Sequence, residues 1–204
     1  MKILIICAHT DDEIGCAGSI VRMIEEGHEV IYRALCGIEK ALVQAGKSQD
    51  TARIECIESM KRLGIKNSYV YSFENRVFPK YRQEILDVML LWKNKYKPDI
   101  VFIPASTDIH QDHQVVYNEG VRAFKHSTIM GYELPQNIIS AKNSSFIKLK
   151  SHQIQLKVYA IQAYISQTER TFMSPEFIWG QARMRGVQCN SEYAEAFELI
   201  RMVI

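Results

Sequence analysis

Lys2-Ile3-Leu4-Ile5-Ile6-Cys7-Ala8 followed at once by His9-Thr10-Asp11-Asp12-Glu13 decides how this 204-residue chain is read. The apolar run reads as a hydrophobic strand. The polar run then places one imidazole and three carboxylates where that strand hands over to a helix. Roughly a hundred residues on, Asp99-Ile100-Val101-Phe102-Ile103-Pro104 repeats the pattern and leads into Asp108-Ile109-His110-Gln111-Asp112-His113. Both clusters follow the carboxyl ends of strands, the edge at which open α/β sheets gather their ligands.

Working outward, strands and helices alternate. Helical spacing runs from Ile14 to Glu26 and stops at Gly27. Glu29 to Leu35 reads as a second strand, Asp50 to Leu63 as a helix ended by Gly64, and Ser68 to Phe73 as a short strand. Tyr81 to Tyr96 is a helix closed by Pro98, and Val115 to Phe124 is another. This order predicts an α/β fold with a mostly parallel sheet flanked by helices. Beyond about residue 127 the pattern changes: strands at Ile129–Leu134 and Ser145–Leu149, helices at Ser151–Ser166 and Pro175–Arg185, and a tail from Tyr193 to Ile204. With no linker or repeat, residues 1–204 are expected to form one domain, the second half building pocket walls.

Composition narrows the classes. Hydrophobic residues make up 47% and charged residues 24%, the balance of an ordinary globular protein. A net charge of +2 with scattered basic residues gives no electrostatic case for nucleic acid. No apolar run approaches the roughly 20 residues that span a bilayer. The first strand begins just after Met1, which argues against a signal peptide. Five cysteines without a CxxC spacing suit reduced thiols in a cytoplasmic protein.

The two clusters together suggest a metal centre. Catalytic zinc takes three protein ligands from His and Asp/Glu and keeps one position open. His9, Asp12 and His113 would supply two imidazoles and a carboxylate. Asp11 is then free to act as general base toward a water activated by the ion. His110 is expected to face the same cavity, held and kept protonated by Asp112, as an oxyanion stabiliser and proton donor. Dinucleotide binding is rejected: Gly15 and Gly18 do not form GxGxxG, and carboxylates at that turn would repel a pyrophosphate.

Ala8-His9-Thr10-Asp11-Asp12-Glu13 with His110-Gln111-Asp112-His113 resembles the PIG-L/LmbE-like family of zinc-dependent N-acetyl-sugar deacetylases, whose pattern is A-H-P-D-D-E followed by H-x-D-H. Supporting matches are Gly15 to Gly27, Arg53, Glu55, Leu63-Gly64, Lys157 to Ala160, Tyr164 to Gln167 and Glu195-Ala196-Phe197. The resemblance implies a Rossmann-like, LmbE-like three-layer sandwich and removal of an N-acetyl group from a small amino sugar, sugar conjugate or nucleotide-linked sugar. It implies His9, Asp12 and His113 as ligands of Zn2+ or another divalent first-row ion, and Asp11 as base. It also implies His110 with Asp112 as a charged dyad and Arg53 as a substrate contact. Thr10 stands where the family has Pro. Asp108 and Ile109 stand where some members carry a carbonyl-assisting Tyr or Arg, leaving Tyr132 and Glu133 as candidates to reach the pocket. The competing expectations are a metal-dependent amidase on a non-sugar acyl amine and a catalytically silent carbohydrate-binding module. Oligomeric state stays open, a homo-oligomer included.

Overall fold

The computed structural model describes residues 1–37, 39–44 and 46–204. Among them, seven strands form one sheet: β1 (Lys2–His9), β2 (Glu29–Cys36), β3 (Asn67–Val70), β4 (Ile100–Pro104), β5 (Thr128–Tyr132), β6 (Ser145–Leu149) and β7 (Tyr193–Arg201). Their order is β3-β2-β1-β4-β5-β7-β6. The first five are parallel, and β7 runs antiparallel to both β5 and β6. The helices are α1 (Ala17–Glu25), α2 (Glu39–Gln44), α3 (Thr51–Leu63), α4 (Arg82–Tyr96), α5 (Gln111–Ala123), α6 (Ser151–Ile161) and α7 (Pro175–Gln188).

The uninterrupted apolar run of β1 is explained by the layers. Successive side chains of a strand point to opposite faces. Ile3, Ile5 and Cys7 therefore pack with Ile20 of α1, Met60 of α3, Ile154 of α6 and Ile178 of α7. Leu4, Ile6 and Ala8 pack on the other face with Ile85 and Met89 of α4 and Val116 of α5. A sheet thus lies between two helical layers, as the α/β reading required. The chain leaves β1 for β2 on one side and reaches β4 on the other, so the strand order reverses between β1 and β4. Their carboxyl ends flank the crevice that this reversal opens.

Several boundaries differ from the sequence reading. The acidic run Asp12–Gly15 forms a separate 3-10 turn, and α1 begins only at Ala17. Helix α5 starts at Gln111 rather than Val115, with His110 as its N-cap. Helix α6 stops at Ile161 instead of Ser166. The Glu55 carboxylate takes both the Ser166 amide (2.7 Å) and hydroxyl (2.5 Å), which holds that segment outside the helix. The tail becomes β7, wedged between β5 and β6. No helix among the described residues is long and apolar enough to cross a membrane.

Candidate active site

The carboxyl ends of β1 and β4 bring the two polar clusters together. His9 is the last residue of β1, and the chain turns so sharply after it that Asp12 Oδ2 accepts the His9 amide at 2.8 Å. His113, in the first turn of α5, enters from the β4 side. His9 Nδ1 and His113 Nε2 are 3.1 Å apart, His113 Nε2 and Asp12 Oδ2 3.4 Å, and His9 Nδ1 and Asp12 Oδ2 3.7 Å. Donor bonds of about 2.0–2.1 Å in a tetrahedral site put ligand atoms roughly 3.3–3.4 Å from one another. The triangle therefore fits a first-row divalent ion with a fourth position open. The ring nitrogens of His9, His110 and His113 also lie within 4.8 Å of one another, so His110 stands beside this centre.

Each imidazole of the triangle is backed by a carboxylate. Asp108 Oδ2 lies 2.7 Å from His113 Nδ1, and Asp112 Oδ2 lies 3.0 Å from His9 Nε2. Such partners fix the ring orientation and strengthen the donor that faces the metal. Asp108, which departs from the Tyr or Arg of some relatives, thus holds His113 and does not reach toward a substrate carbonyl.

The expected pairing of Asp112 with the His110 ring is corrected by the structure. The Asp112 carboxylate is spent on His9, the Arg76 amide (2.6 Å) and the Phe78 amide (3.1 Å). His110 instead accepts the Asp112 amide at its own Nδ1 (3.2 Å), as the N-cap of α5. Burial lowers the His110 pKa, and the neighbouring His113 and His9 push it further down, to about 4. The His110 ring is therefore neutral at pH 7, contrary to the expected imidazolium. With Nδ1 accepting, the proton resides on Nε2.

Other titrations follow from the same crowding. Burial alone would lower His113, but the Asp12 and Asp108 carboxylates outweigh it and raise it to about 9. Burial raises Asp12 against the opposing pull of His113 and His9. Glu13 points away into the core. It accepts from Ser59 Oγ (2.8 Å) and Tyr164 OH (2.7 Å), and burial lifts it to about 8 despite those bonds. Both Tyr32 and Tyr164 also donate to the Thr10 carbonyl, which anchors the loop to the core. The added Thr10 hydroxyl is buried and finds no partner among the described residues.

These groups floor a cleft of about 220 Å³ that Asp11, Arg76, Gln136, Asn137, Arg170 and Phe172 also line. Asp11 stands outside the donor triangle, its Oδ2 3.2 Å from Arg170 Nη1. Arg53 does not line this cleft. Its guanidinium donates to the Val70 and Tyr71 carbonyls and to Ser72 Oγ, beside a neighbouring pocket that meets the cleft at Asn75. Tyr132 is fully buried with its hydroxyl on the Ile6 carbonyl, and Glu133 is ion-paired to Arg185 at 2.7 Å. Neither reaches the cleft. Arg76 and Arg170 were not singled out by the sequence, since each sits in a segment without periodicity or motif.

A family model described as PIG-L, GlcNAc-PI de-N-acetylase, matches residues 4–124, the stretch holding both polar clusters. Among solved structures, N,N'-diacetylchitobiose deacetylase from Pyrococcus horikoshii is 23% identical, with a TM-score of 0.80 over 96% of this chain and 82% of that one. The zinc-inhibited form of teicoplanin deacetylase Orf2 is 15% identical, with a TM-score of 0.79 over 97% of each chain. The 4-carboxy-2-hydroxymuconate hydratase GalB from Pseudomonas putida KT2440 is 17% identical, with a TM-score of 0.83 over 100% of this chain and 97% of that one. Such likenesses establish a shared fold, and one fold hosts more than one reaction.

Proposed function

Since the chain belongs to the PIG-L family, we propose that it is a metal-dependent hydrolase that removes the N-acetyl group from an amino sugar, a sugar conjugate or a nucleotide-linked sugar. The observation that carries this reading is the triangle of His9 Nδ1, Asp12 Oδ2 and His113 Nε2, with a further carboxylate, Asp11, beside it. His9, Asp12 and His113 would hold zinc or another divalent first-row ion, because His/Asp donors suit several of them. When bound, the ion supplies Lewis acidity, polarising the acyl carbonyl and acidifying water.

The remaining chemistry belongs to the chain. Asp11 takes the proton of the attacking water as its oxygen bonds to the acetyl carbon. Arg170 holds one oxygen of that carboxylate, fixing its direction. The neutral His110 keeps its Nε2 proton and donates a hydrogen bond through it to the carbonyl oxygen as charge builds there. Asp11 then returns the proton to the departing nitrogen, the C–N bond breaks, and acetate and a free amine leave. Asp112 acts through His9 in this scheme and not through His110. Arg53 would meet only a substrate long enough to extend past Asn75, so its contact belongs to the conjugate and not to the acetylated ring.

The test is acetate release by metal-depleted protein on adding zinc, across N-acetylhexosamines and simple acylamides. Release from sugars above acylamides is expected. Asp11→Asn is expected to lose roughly 10²–10⁴ in turnover while still binding the ion. Absence of release from every N-acetylated sugar at metal saturation overturns the substrate class, and undiminished turnover by Asp11→Asn overturns the base.

A further inference from the structure

We propose that Arg76, seconded by Arg170, selects substrates bearing an anionic group, a carboxylate or a phosphate, close to the N-acetylated sugar. This deepens the deacetylase reading and rests on it for the identity of the sugar.

The backbone at Arg76 is unusual. Its φ of 69° lies in the left-handed region, which a non-glycine residue adopts at a cost and which recurs where function retains the side chain. Glycine would relieve that strain but would leave no side chain at the cleft. The peptide is clamped on both sides: its amide donates to Asp112 Oδ2 at 2.6 Å, and its carbonyl accepts the Gln111 side-chain amide. Asp112 is also the carboxylate behind His9. The turn that presents Arg76 is thus tied to the metal-binding framework itself. The side chain is exposed and lines the cleft.

A charge inventory of the site points the same way. Asp108 faces His113, Asp112 faces His9 and two amides, and Asp11 faces Arg170. Asp12 would be neutralised in part by the ion. Arg170 lies 5.7 Å from the Phe172 ring and is half exposed, so one edge of its fork remains open. Arg76 has no acidic partner among the described residues, and the neighbouring walls are the neutral amides Asn75, Gln136 and Asn137. An unpaired guanidinium presents a planar fork of donors matched to carboxylate or phosphate oxygens.

Binding of free amines, the product side of the reaction, tests this without turnover. Glucosamine, glucosamine 6-phosphate and muramic acid would be titrated calorimetrically into zinc-loaded protein, the last two separating phosphate from carboxylate. At least one anionic amine is expected to bind ten-fold or more tighter than glucosamine, with a preference that shrinks in high salt. Arg76→Gln should cut the anionic-to-neutral ratio at least ten-fold, and Arg76→Lys should restore part of it. Should Arg76→Gln fold poorly, Arg76→Asn tolerates the left-handed backbone and serves instead. Equal affinities for the three amines, or an unchanged ratio in the Arg76 variants, would overturn the proposal. A retained anion preference in protein that deacetylates no sugar would instead count against the proposed reaction alone.

Discussion

Replacing Asp108 by Asn separates two opposing effects of one buried carboxylate. Asp108 is 1% exposed; its Oδ2 lies 2.7 Å from His113 Nδ1 and its Oδ1 accepts the His110 amide at 2.8 Å. Asparagine fills the same space and can keep the amide bond, but it brings no charge to the imidazole. Losing such a backing carboxylate typically costs about 10–100-fold in metal affinity, roughly 1.4–2.7 kcal/mol. The second effect runs the other way. With His113 at about 9 in the metal-free protein, an ion binding at pH 7 must first displace a proton. That penalty is about a hundred-fold, or about 3 kcal/mol. Asp108 is one of its sources after Asp12, so the substitution relieves part of it. The loss of affinity is therefore expected to be largest at pH 9 and to narrow toward pH 7. Competition for zinc against a chromophoric chelator, from pH 6.5 to 9, reads both terms. Equal affinities of the two proteins at pH 9, or a gap that widens toward pH 7, would refute the reasoning.

The other expectations concern stability. Glu13 has its folded-state pKa raised from 4.5 to about 8, so the folded state holds a proton that the unfolded state releases. Its contribution is full below 4.5 and is lost as pH climbs through 8; Glu13→Gln should flatten that part of a denaturant-measured stability profile, and an unaltered slope between pH 5 and 8 would count against it. His113, raised to about 9, adds stability that is full below 6.5 and lost as pH rises through 9. Chelated protein should therefore lose melting temperature between pH 7 and 9 faster than zinc-loaded protein does, and parallel curves would contradict this. Lys157 and Glu195 form a buried pair at 2.7 Å, 3% and 5% exposed. Lys157→Ala removes the counter-charge but leaves the Glu195 carboxylate its bonds from the Gly18 and Ser19 amides and the Ser19 hydroxyl. The loss in urea unfolding should therefore fall at the lower end of about 3–5 kcal/mol, whereas a loss below about 1 kcal/mol would show that those donors hold the charge on their own.

What could be read in the sequence followed from spacing along the chain. The runs at Ile3 to Ala8 and Ile100 to Pro104 are apolar because helices cover both faces of β1 and β4. A polar residue immediately after a strand in such a sheet has only one edge to occupy. That is why His9, Asp12 and His113 converge even though α5 starts at Gln111, four residues before the Val115 that the sequence spacing indicates. The roles of Asp112 and His110 depend on that start. With the helix beginning at Gln111 and His110 as its cap, the Asp112 side chain falls against His9 and the amides of Arg76 and Phe78. Those amides belong to a segment after β3 that has no periodicity to read. Lys157 and Glu195 were visible only as family matches, because their reason is an ion pair between α6 and β7, and β7 itself inserts out of chain order between β5 and β6. The proposed metal donors are few, close to strand ends and chemically distinctive, so local sequence suffices to nominate them. Their counter-charges come from wherever the chain returns to the cleft, and only the three-dimensional arrangement reveals that Asp11 pairs with Arg170 while Arg76 lines the cleft without an acidic partner among the described residues.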